Sequence, residues 1–327
     1  MVPSIDPAKD QVDTDFKILK KKDEFEALLD FAVGKPGVAN NKGIAANRLF
    51  LPLQPYHDED ATAPWIAARF KEAAARGVAV ELVYAGNEAF GLKYAWDLKT
   101  APNSDLTTDA LKYVVLQTLP KVTMASGGAN PIAIQIDSEP WANMPEGKHQ
   151  QNPERWWRYL WFISKVSEAV HNLELHLTVA IVREAAEALS VLFSDNQVNT
   201  INKNLTDNSV GMVIGSIAEW LFEVAKVDRV IPMVYRPTAQ ETLDWATKWA
   251  NVAKKPQSFA IGMHVGVSPN TPLQYIDQAA AASLFGSVEA DKVALDGAAG
   301  AVTQMVLGKL PAFAGLAIYR YEGYPTT

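Results

Sequence analysis

Short apolar segments alternate with helical segments along most of the chain, and this rhythm limits the possible folds more than any other feature. The apolar segments are β-branched and hydrophobic on both faces, as expected where helices cover one face of a sheet and side chains fill the other. They are Phe16–Leu19, Arg48–Leu53, Val78–Tyr84, Ile132–Asp137, Leu173–Ile181, Val230–Tyr235, Phe259–Val265 and Leu316–Tyr319. Eight such segments separated by helices predict a parallel α/β sheet.

Several helices between these strands have readable end signals. Asn152 followed by Pro153 predicts the start of a helix over Glu154–His171, because proline suits the first helical position. The segment Thr238-Ala239-Gln240-Glu241 is a capping box before a helix over Thr242–Lys254. Gly77 is placed to end a helix over Ala63–Arg76, and Thr271-Pro272 predicts another helix start. Aromatic residues crowd the Glu154–His171 helix, which is therefore expected to pack on the barrel with one or two rings at its lip, in preference to forming a platform for a sugar.

Eight β/α units without an evident linker favour one closed (β/α)₈ TIM barrel over residues 1–327, with residues 1–14 as an irregular N-terminal segment. The alternative is an open doubly wound sheet, but no glycine-rich phosphate loop follows any predicted strand. The long segments 85–106 and 140–152 directly follow strands. In a barrel they belong to the face that carries the active site.

Composition excludes several classes of function. The chain has no cysteine and a net charge of −7, so disulfides, zinc–thiolate sites and thiol nucleophiles are absent and a nucleic-acid partner is not expected. The five histidines lack metal-ligand spacing, and neither a metal nor an organic cofactor is expected. No apolar run is long enough to span a membrane. Without a signal pattern at Met1–Ser4, the protein is expected to be cytoplasmic or to have lost a signal; the oligomeric state is not indicated.

The segment Ile132–Trp141 carries the clearest chemical signal. Ile134 and Ile136 share one face of a strand, whereas Gln135, Asp137 and Glu139 share the other. The apolar face is expected to contact helices and the polar face to lie inside the barrel. Because two neighbouring carboxylates resist double ionisation, one of them is expected to act as a general acid.

Polar or aromatic residues also end the other predicted strands, as is common at the ligand pocket of a barrel. Tyr235 and Arg236 end one strand, His264 another, and Tyr319 with Glu322 the last. Earlier in the chain, Tyr84 and Gln54 hold similar positions. Together with Trp141, these residues are candidates for substrate binding.

The order of four motifs resembles the family 18 glycoside hydrolases, the chitinase-like barrels. These motifs are the Asp-x-Glu at 137–139, the Met-x-Tyr at 233–235, the Gly-Met-x-x-Gly at 262–266 and the Gly-Leu-Ala-Ile-aromatic at 315–319. The resemblance covers roughly residues 130–324. It implies that Glu139 is the general acid, that Asp137 and Tyr235 contact the 2-acetamido group of the substrate, and that Tyr319 lies beneath the sugar at the cleaved bond.

The chain departs from the family pattern at four positions. Gln135 and Ala133 replace an aspartate and a glycine, Arg236 replaces an aspartate, and Tyr319 replaces a tryptophan. Gln135 cannot share a proton with Asp137 as a carboxylate can. Arg236 favours an anionic group on the substrate or an ion pair with one of the two carboxylates.

These observations predict a glycosidase that cleaves a polysaccharide or glycan, with Glu139 protonating the leaving oxygen. Either the substrate's acetamide or Asp137 stabilises the charge that develops on the sugar. Two alternatives remain. One is a non-catalytic, lectin-like barrel, which would commonly lack the acid that this chain retains. The other is a barrel enzyme using a divalent cation, with Glu322 or Asp58 as a further oxygen ligand.

Overall fold

A parallel β-sheet is the centre of the protein. The computed structural model describes residues 22–33, 48–52, 64–84, 133–137, 153–208, 212–234, 239–253, 255–264 and 313–319. The strands are β1 (Arg48–Pro52), β2 (Ala79–Tyr84), β3 (Ala133–Ile136), β4 (His176–Val182), β5 (Arg229–Met233), β6 (Phe259–His264) and β7 (Phe313–Tyr319). Among these described strands, each pairs in parallel with the next, in the order β1 to β7.

This strand order decides between the two predicted kinds of sheet. A doubly wound sheet reverses its strand order at a switch point, and the seven described strands show no reversal. Their sequential order is that of an α/β barrel. The eighth predicted strand, Phe16–Leu19, lies outside the described residues, so the closed eight-stranded form stays a prediction.

The described helices connect the strands or extend these connections. They are α1 (Lys22–Ala32), α2 (Pro64–Ala75), α3 (Pro153–His171), α4 (Leu189–Leu192), α5 (Asp195–Asn208), α6 (Ile217–Glu219) and α7 (Ala239–Val252). A 3₁₀ turn at Arg183–Ala186 follows β4, and a π-helical turn at Trp220–Val224 continues α6. Pro153 opens α3 as predicted. Helix α7 begins three residues before the predicted Thr242, directly after Thr238 of the capping box.

The two faces of the sheet differ in what they contact. Alternate strand residues join the helices in one large hydrophobic core; examples are Leu51, Leu82, Ile134, Val179, Val230 and Ile261. The aromatic residues of α3 lie in this same core: Trp156, Trp157, Tyr159 and Trp161 are all buried. The expectation that this helix packs against the sheet is therefore confirmed, but none of these four rings is exposed at a lip.

Residues of the other parity form the concave, inner face. A small second core joins Ile231 of β5, Ala260 of β6 and Ala317 of β7, and Phe50 of β1 packs against it. Because β1 and β7 are the outermost described strands of the sheet, this contact requires the sheet to curl until its two sides approach each other. The structure therefore shows a curled parallel sheet with helices on its outer face.

Two helices end in the same type of hydrogen-bonded turn, each just before the next strand begins. At the end of α2, the N–H of Val78 donates to the carbonyl of Ala73 and the N–H of Gly77 donates to that of Ala74. Gly77 has φ +70°, the left-handed conformation expected of a terminating glycine. At the end of α3, Leu175 and Glu174 make the equivalent bonds, with Glu174 at φ 58°.

The second of these turns corrects one predicted boundary. The sequence predicts that β4 starts at Leu173, but it starts at His176. The apolar Leu173 and Leu175 suggested a strand, yet Leu173 to Leu175 belong to the turn that closes α3. These three residues alternate between apolar and polar as in a strand, but the hydrogen bonds of the helix end determine their conformation.

An insertion follows β4 at the C-terminal edge of the sheet. It contains the 3₁₀ turn, α4 and α5, and it returns through residues 212–216. Asn202 holds the return: its Oδ1 accepts the N–H of Ile214 at 2.9 Å, and its Nδ2 donates to the carbonyl of Ile214 at 3.3 Å. The ring of Phe193 contacts Trp156 of α3 edge-on, with centroids 6.2 Å apart. The insertion is thereby fixed to the helix that precedes β4.

Candidate active site

Strand β3 places its apolar and polar residues on opposite faces. Ile134 and Ile136 lie in the core shared with the helices. Gln135 is 0% exposed and pairs in register with Val83 on one side and Thr178 on the other. Since register partners of a parallel sheet share a face, Gln135 belongs to the inner face, as the alternation of the sequence predicts.

Asp137 follows the last residue of β3 and continues the inner parity. Its side chain is partly buried, and its Oδ1 atom is shielded from solvent. The β3–β4 register, continued by two residues from Gln135 and Thr178, aligns Asp137 with Ala180. A carboxylate at the C-terminal end of a parallel strand is in the position where α/β barrels hold catalytic groups.

The strands that follow β3 end at similar positions along the C-terminal edge of the sheet. Val182 of β4 pairs with Met233 of β5, and Met233 pairs with Gly262 of β6. At the ends of β6 and β7, His264 pairs with Tyr319. Two predicted site residues, distant in sequence, are therefore neighbours in the backbone at the C-terminal edge.

The other predicted site residues divide into two groups. For Tyr84, the structure gives a backbone position at the C-terminal end of β2. Six lie outside the described residues: Gln54, Glu139, Trp141, Tyr235, Arg236 and Glu322. The structure thus brings Gln135, Asp137 and the backbone of Tyr84, His264 and Tyr319 to one sheet, while the roles assigned to Glu139 and Tyr235 stay predictions.

The chain is similar in structure to three solved proteins. One is the spore cortex-lytic enzyme SleL of Bacillus megaterium QM B1551, at 11% identity and TM-score 0.45, covering 85% of this chain and 70% of that one. Another is the C-terminal domain of a proposed chitinase of Desulfitobacterium hafniense DCB-2, at 11% identity and TM-score 0.48, covering 92% and 91%.

The third is catalytic domain 2 of the Group II chitinase of Ostrinia furnacalis, solved with a chitooligosaccharide. It has 11% identity and TM-score 0.38, covering 71% of this chain and 61% of that one. No protein-family model and no curated protein matches the chain. At these TM-scores, no residue of the chain acquires a role from the three structures.

A charged cluster lies at the N-terminal end of the strands, opposite Asp137, and was not predicted from the sequence. Glu81 of β2 is 0% exposed and forms ion pairs with Arg48, the first residue of β1, and with Arg229, the first residue of β5, the latter at 3.4 Å. Burial lowers the pKa of Arg48 to about 10, and the charge of Arg229 contributes. The sequence feature that could have indicated this cluster is the glutamate within the otherwise apolar segment Ala79–Tyr84.

No group of three or more histidine, aspartate or glutamate side chains among the described residues is arranged to hold a metal ion. Among the described helices, none combines the length and the hydropathy required to cross a membrane.

Proposed function

We propose that the chain is a glycosidase of the family 18 type, with Glu139 as the general acid and Asp137 as its partner. One observation carries the proposal: Gln135 and Asp137 continue the inner face of β3 toward the C-terminal edge, while Ile134 and Ile136 contact the helices. An extended continuation of β3 by two residues puts Glu139 on the same face. The motifs at 233–235, 262–266 and 315–319 supply the family resemblance.

In this proposal, the fold is a closed (β/α)₈ barrel in which Phe16–Leu19 forms the eighth strand. A strand there would lie between β7 and β1, and Phe50 of β1 already packs against the inner core to which Ala317 of β7 belongs. Closure would arrange Asp137, Tyr235 and Tyr319 around one cavity. The C-terminal ends of the strands then surround a sugar on several sides.

The chemistry follows from two carboxyl groups two residues apart. Ionised Asp137 disfavours a second negative charge nearby, so Glu139 retains its proton near neutral pH. Glu139 donates that proton to the leaving oxygen as the glycosidic bond breaks. The positive charge on the sugar carbon is stabilised by the carbonyl oxygen of a 2-acetamido group or by Asp137 itself. Water then completes the hydrolysis, and Glu139 recovers its proton.

Gln135 changes the electrostatics beneath this pair. The family pattern has a carboxylate there, which can exchange a proton with its neighbour, but an amide remains neutral. Since Gln135 is fully buried, a charge at its position would carry a large desolvation cost. Gln135 therefore cannot take up a proton from its neighbour as the carboxylate of the family pattern can.

The test is hydrolysis of N-acetylated and non-acetylated glycans by wild type and by Glu139→Gln. Loss of a general acid reduces the rate by about 10²–10⁴-fold, whereas glycan binding should persist. Asp137→Asn should lower the rate and also move the pH optimum, because it removes the charge that keeps Glu139 protonated. Glu168→Gln is the matched control, since Glu168 is an exposed carboxylate on α3.

The outcomes separate three interpretations. Activity that Glu139→Gln and Asp137→Asn leave at the wild-type rate would contradict the acid assignment. Glycan binding without hydrolysis by wild type would instead favour the lectin-like alternative, for which the buried neutral Gln135 is the supporting observation. Activity confined to sugars without an N-acetyl group would assign the stabilising role to Asp137.

A further inference from the structure

The N-terminal end of the curled sheet has an imbalance of charge. Arg48 and Arg229 lie on β1 and β5, and both donate from Nη1 to the same oxygen, Oε1 of Glu81. One carboxylate therefore serves two guanidinium groups. The three side chains together carry one excess positive charge inside a largely apolar sheet.

No other carboxylate among the described residues balances this charge through an ion pair with either arginine. Asp228 precedes Arg229 in sequence, but its Oδ2 accepts hydrogen bonds from His171 and from the N–H of Leu177. Burial lowers the pKa of Arg229, and the charge of Asp228 opposes that shift only in part. Within the described part of the chain, the excess charge therefore remains on the two guanidinium groups.

Counting the partners in the described segments, both arginines have unused hydrogen-bond donors. A guanidinium carries five N–H donors. Arg48 uses Nη1 on Glu81, while Arg229 uses Nη1 on Glu81 and Nε on the carbonyl of Gln257 at 3.5 Å. The side chains of Arg48 and Arg229 are 24% and 20% exposed, so solvent reaches both while Glu81 lies beneath them.

We propose that a small oxyanion binds at this end of the sheet, accepting hydrogen bonds from Arg48 and Arg229 on their solvent side. Guanidinium groups present paired donors that match the oxygens of phosphate and carboxylate groups. An anion there neutralises the excess charge and relieves the repulsion between the two arginines. The site lies at the end of the strands opposite Asp137, so it is independent of the proposed glycosidase activity.

The experiment titrates wild type with inorganic phosphate, with acetate and with chloride at constant ionic strength, measured by calorimetry and by thermal denaturation. Phosphate or acetate should bind and raise the melting temperature, whereas chloride should not. Binding of phosphate alone identifies a tetrahedral oxyanion, and binding of acetate alone identifies a carboxylate. Equal responses to all three salts would reduce the effect to general screening and overturn the proposal.

Two substitutions should shift the affinity in opposite directions. Glu81→Gln doubles the excess positive charge and should tighten anion binding several-fold. Arg48→Gln removes the excess and should abolish the response. Arg76→Gln is the matched control, because Arg76 is 31% exposed and pairs with its own carboxylate, Asp30; its affinity should equal that of wild type.

The result does not depend on one variant. If Glu81→Gln does not fold, the comparison of wild type, Arg48→Gln and Arg76→Gln still decides the matter. An anion affinity that Arg48→Gln leaves unchanged would place the binding elsewhere and refute the site.

Discussion

Asp228 connects three segments of the chain with one carboxylate. Its Oδ2 lies 2.8 Å from Nε2 of His171 at the end of α3 and accepts the N–H of Leu177 in β4 at 2.9 Å. Its Oδ1 lies 3.5 Å from Nδ1 of His176. Burial alone would raise the pKa of Asp228, but the hydrogen bonds from His171 and Leu177, with the two histidine charges, lower it below the ordinary 3.8.

This lowered pKa predicts an acid-dependent loss of stability. The pKa of Asp228 is lower in the folded state than in the unfolded chain, so its ionised form stabilises the fold. This contribution to the free energy of unfolding is complete above about pH 4. It is lost as pH falls through the lower, folded pKa. Asp228→Asn should unfold more easily at neutral pH, and the difference from wild type should shrink as the pH falls. Urea unfolding of both proteins between about pH 7 and pH 3 measures this.

If Asp228→Asn lowered the free energy of unfolding by the same amount at every pH, the stabilisation by Asp228 would not be ionic. Asp207→Asn supplies the comparison, since Asp207 is exposed and pairs with Lys203, one helical turn earlier in α5. Its effect should be small throughout that range, as for most exposed ion pairs.

At the residue scale, the sequence predicts alternation within a strand but not contacts across the sheet. The separation of Ile134 and Ile136 from Gln135 follows from the period of two. The pairing of Arg229 with Glu81 spans 148 residues and depends on how far the sheet curls. No local pattern encodes that curvature, so this charged cluster could not be predicted.

At the scale of single elements, the two equivalent helix ends differ in one residue type. Gly77 and Glu174 both occupy the left-handed position, but only glycine adopts it without strain. A Cβ atom on Gly77 would meet nothing within 4 Å, so an alanine there costs conformational energy alone. Most predicted strand boundaries were accurate to within two residues; the starts of β4 and β7 were each three residues off, and the difference at β4 arose from the turn at Glu174.

Gly77→Ala should destabilise the protein by about 1 kcal/mol, and Glu174→Gly should stabilise it by about 0.5–1 kcal/mol. The signs are opposite because the first substitution introduces left-handed strain and the second removes it. Equilibrium unfolding in denaturant measures both, and each variant is the control for the other. A loss of stability in Glu174→Gly would mean that side-chain contacts of Glu174 outweigh its backbone strain.

At the scale of the whole molecule, the curl of the sheet makes residues of distant strands neighbours. Phe50 of β1 packs against the inner core containing Ile231. Its neighbour in sequence, Leu49, packs against the core on the helical face. Two adjacent positions of one strand therefore belong to different cores. The sequence predicted a barrel from its β/α rhythm, whereas closure by Phe16–Leu19 stays a prediction.

The division into two cores predicts that Phe50 is energetically coupled to Ile231 and that Leu49 is not. In a double-mutant cycle, Phe50→Ala and Ile231→Val should couple by about 0.5 kcal/mol or more, since substitutions within one packed cluster are not generally additive. Leu49→Ala and Ile231→Val should be additive within experimental error. Denaturant unfolding of the single and double mutants supplies the free energies. Coupling that is equal for both pairs would contradict the division into two cores.

The sequential strand order has a consequence for how the chain can fold. Register partners in neighbouring strands are between 29 residues apart, for Val230 and Phe259, and 55 residues apart, for Ala260 and Gly315. The entropy lost in closing a loop grows only slowly with its length, so each pairing carries a similar entropic cost. We therefore expect that assembly can begin at any β/α unit and extend in both directions, without either half of the chain having to wait for the other.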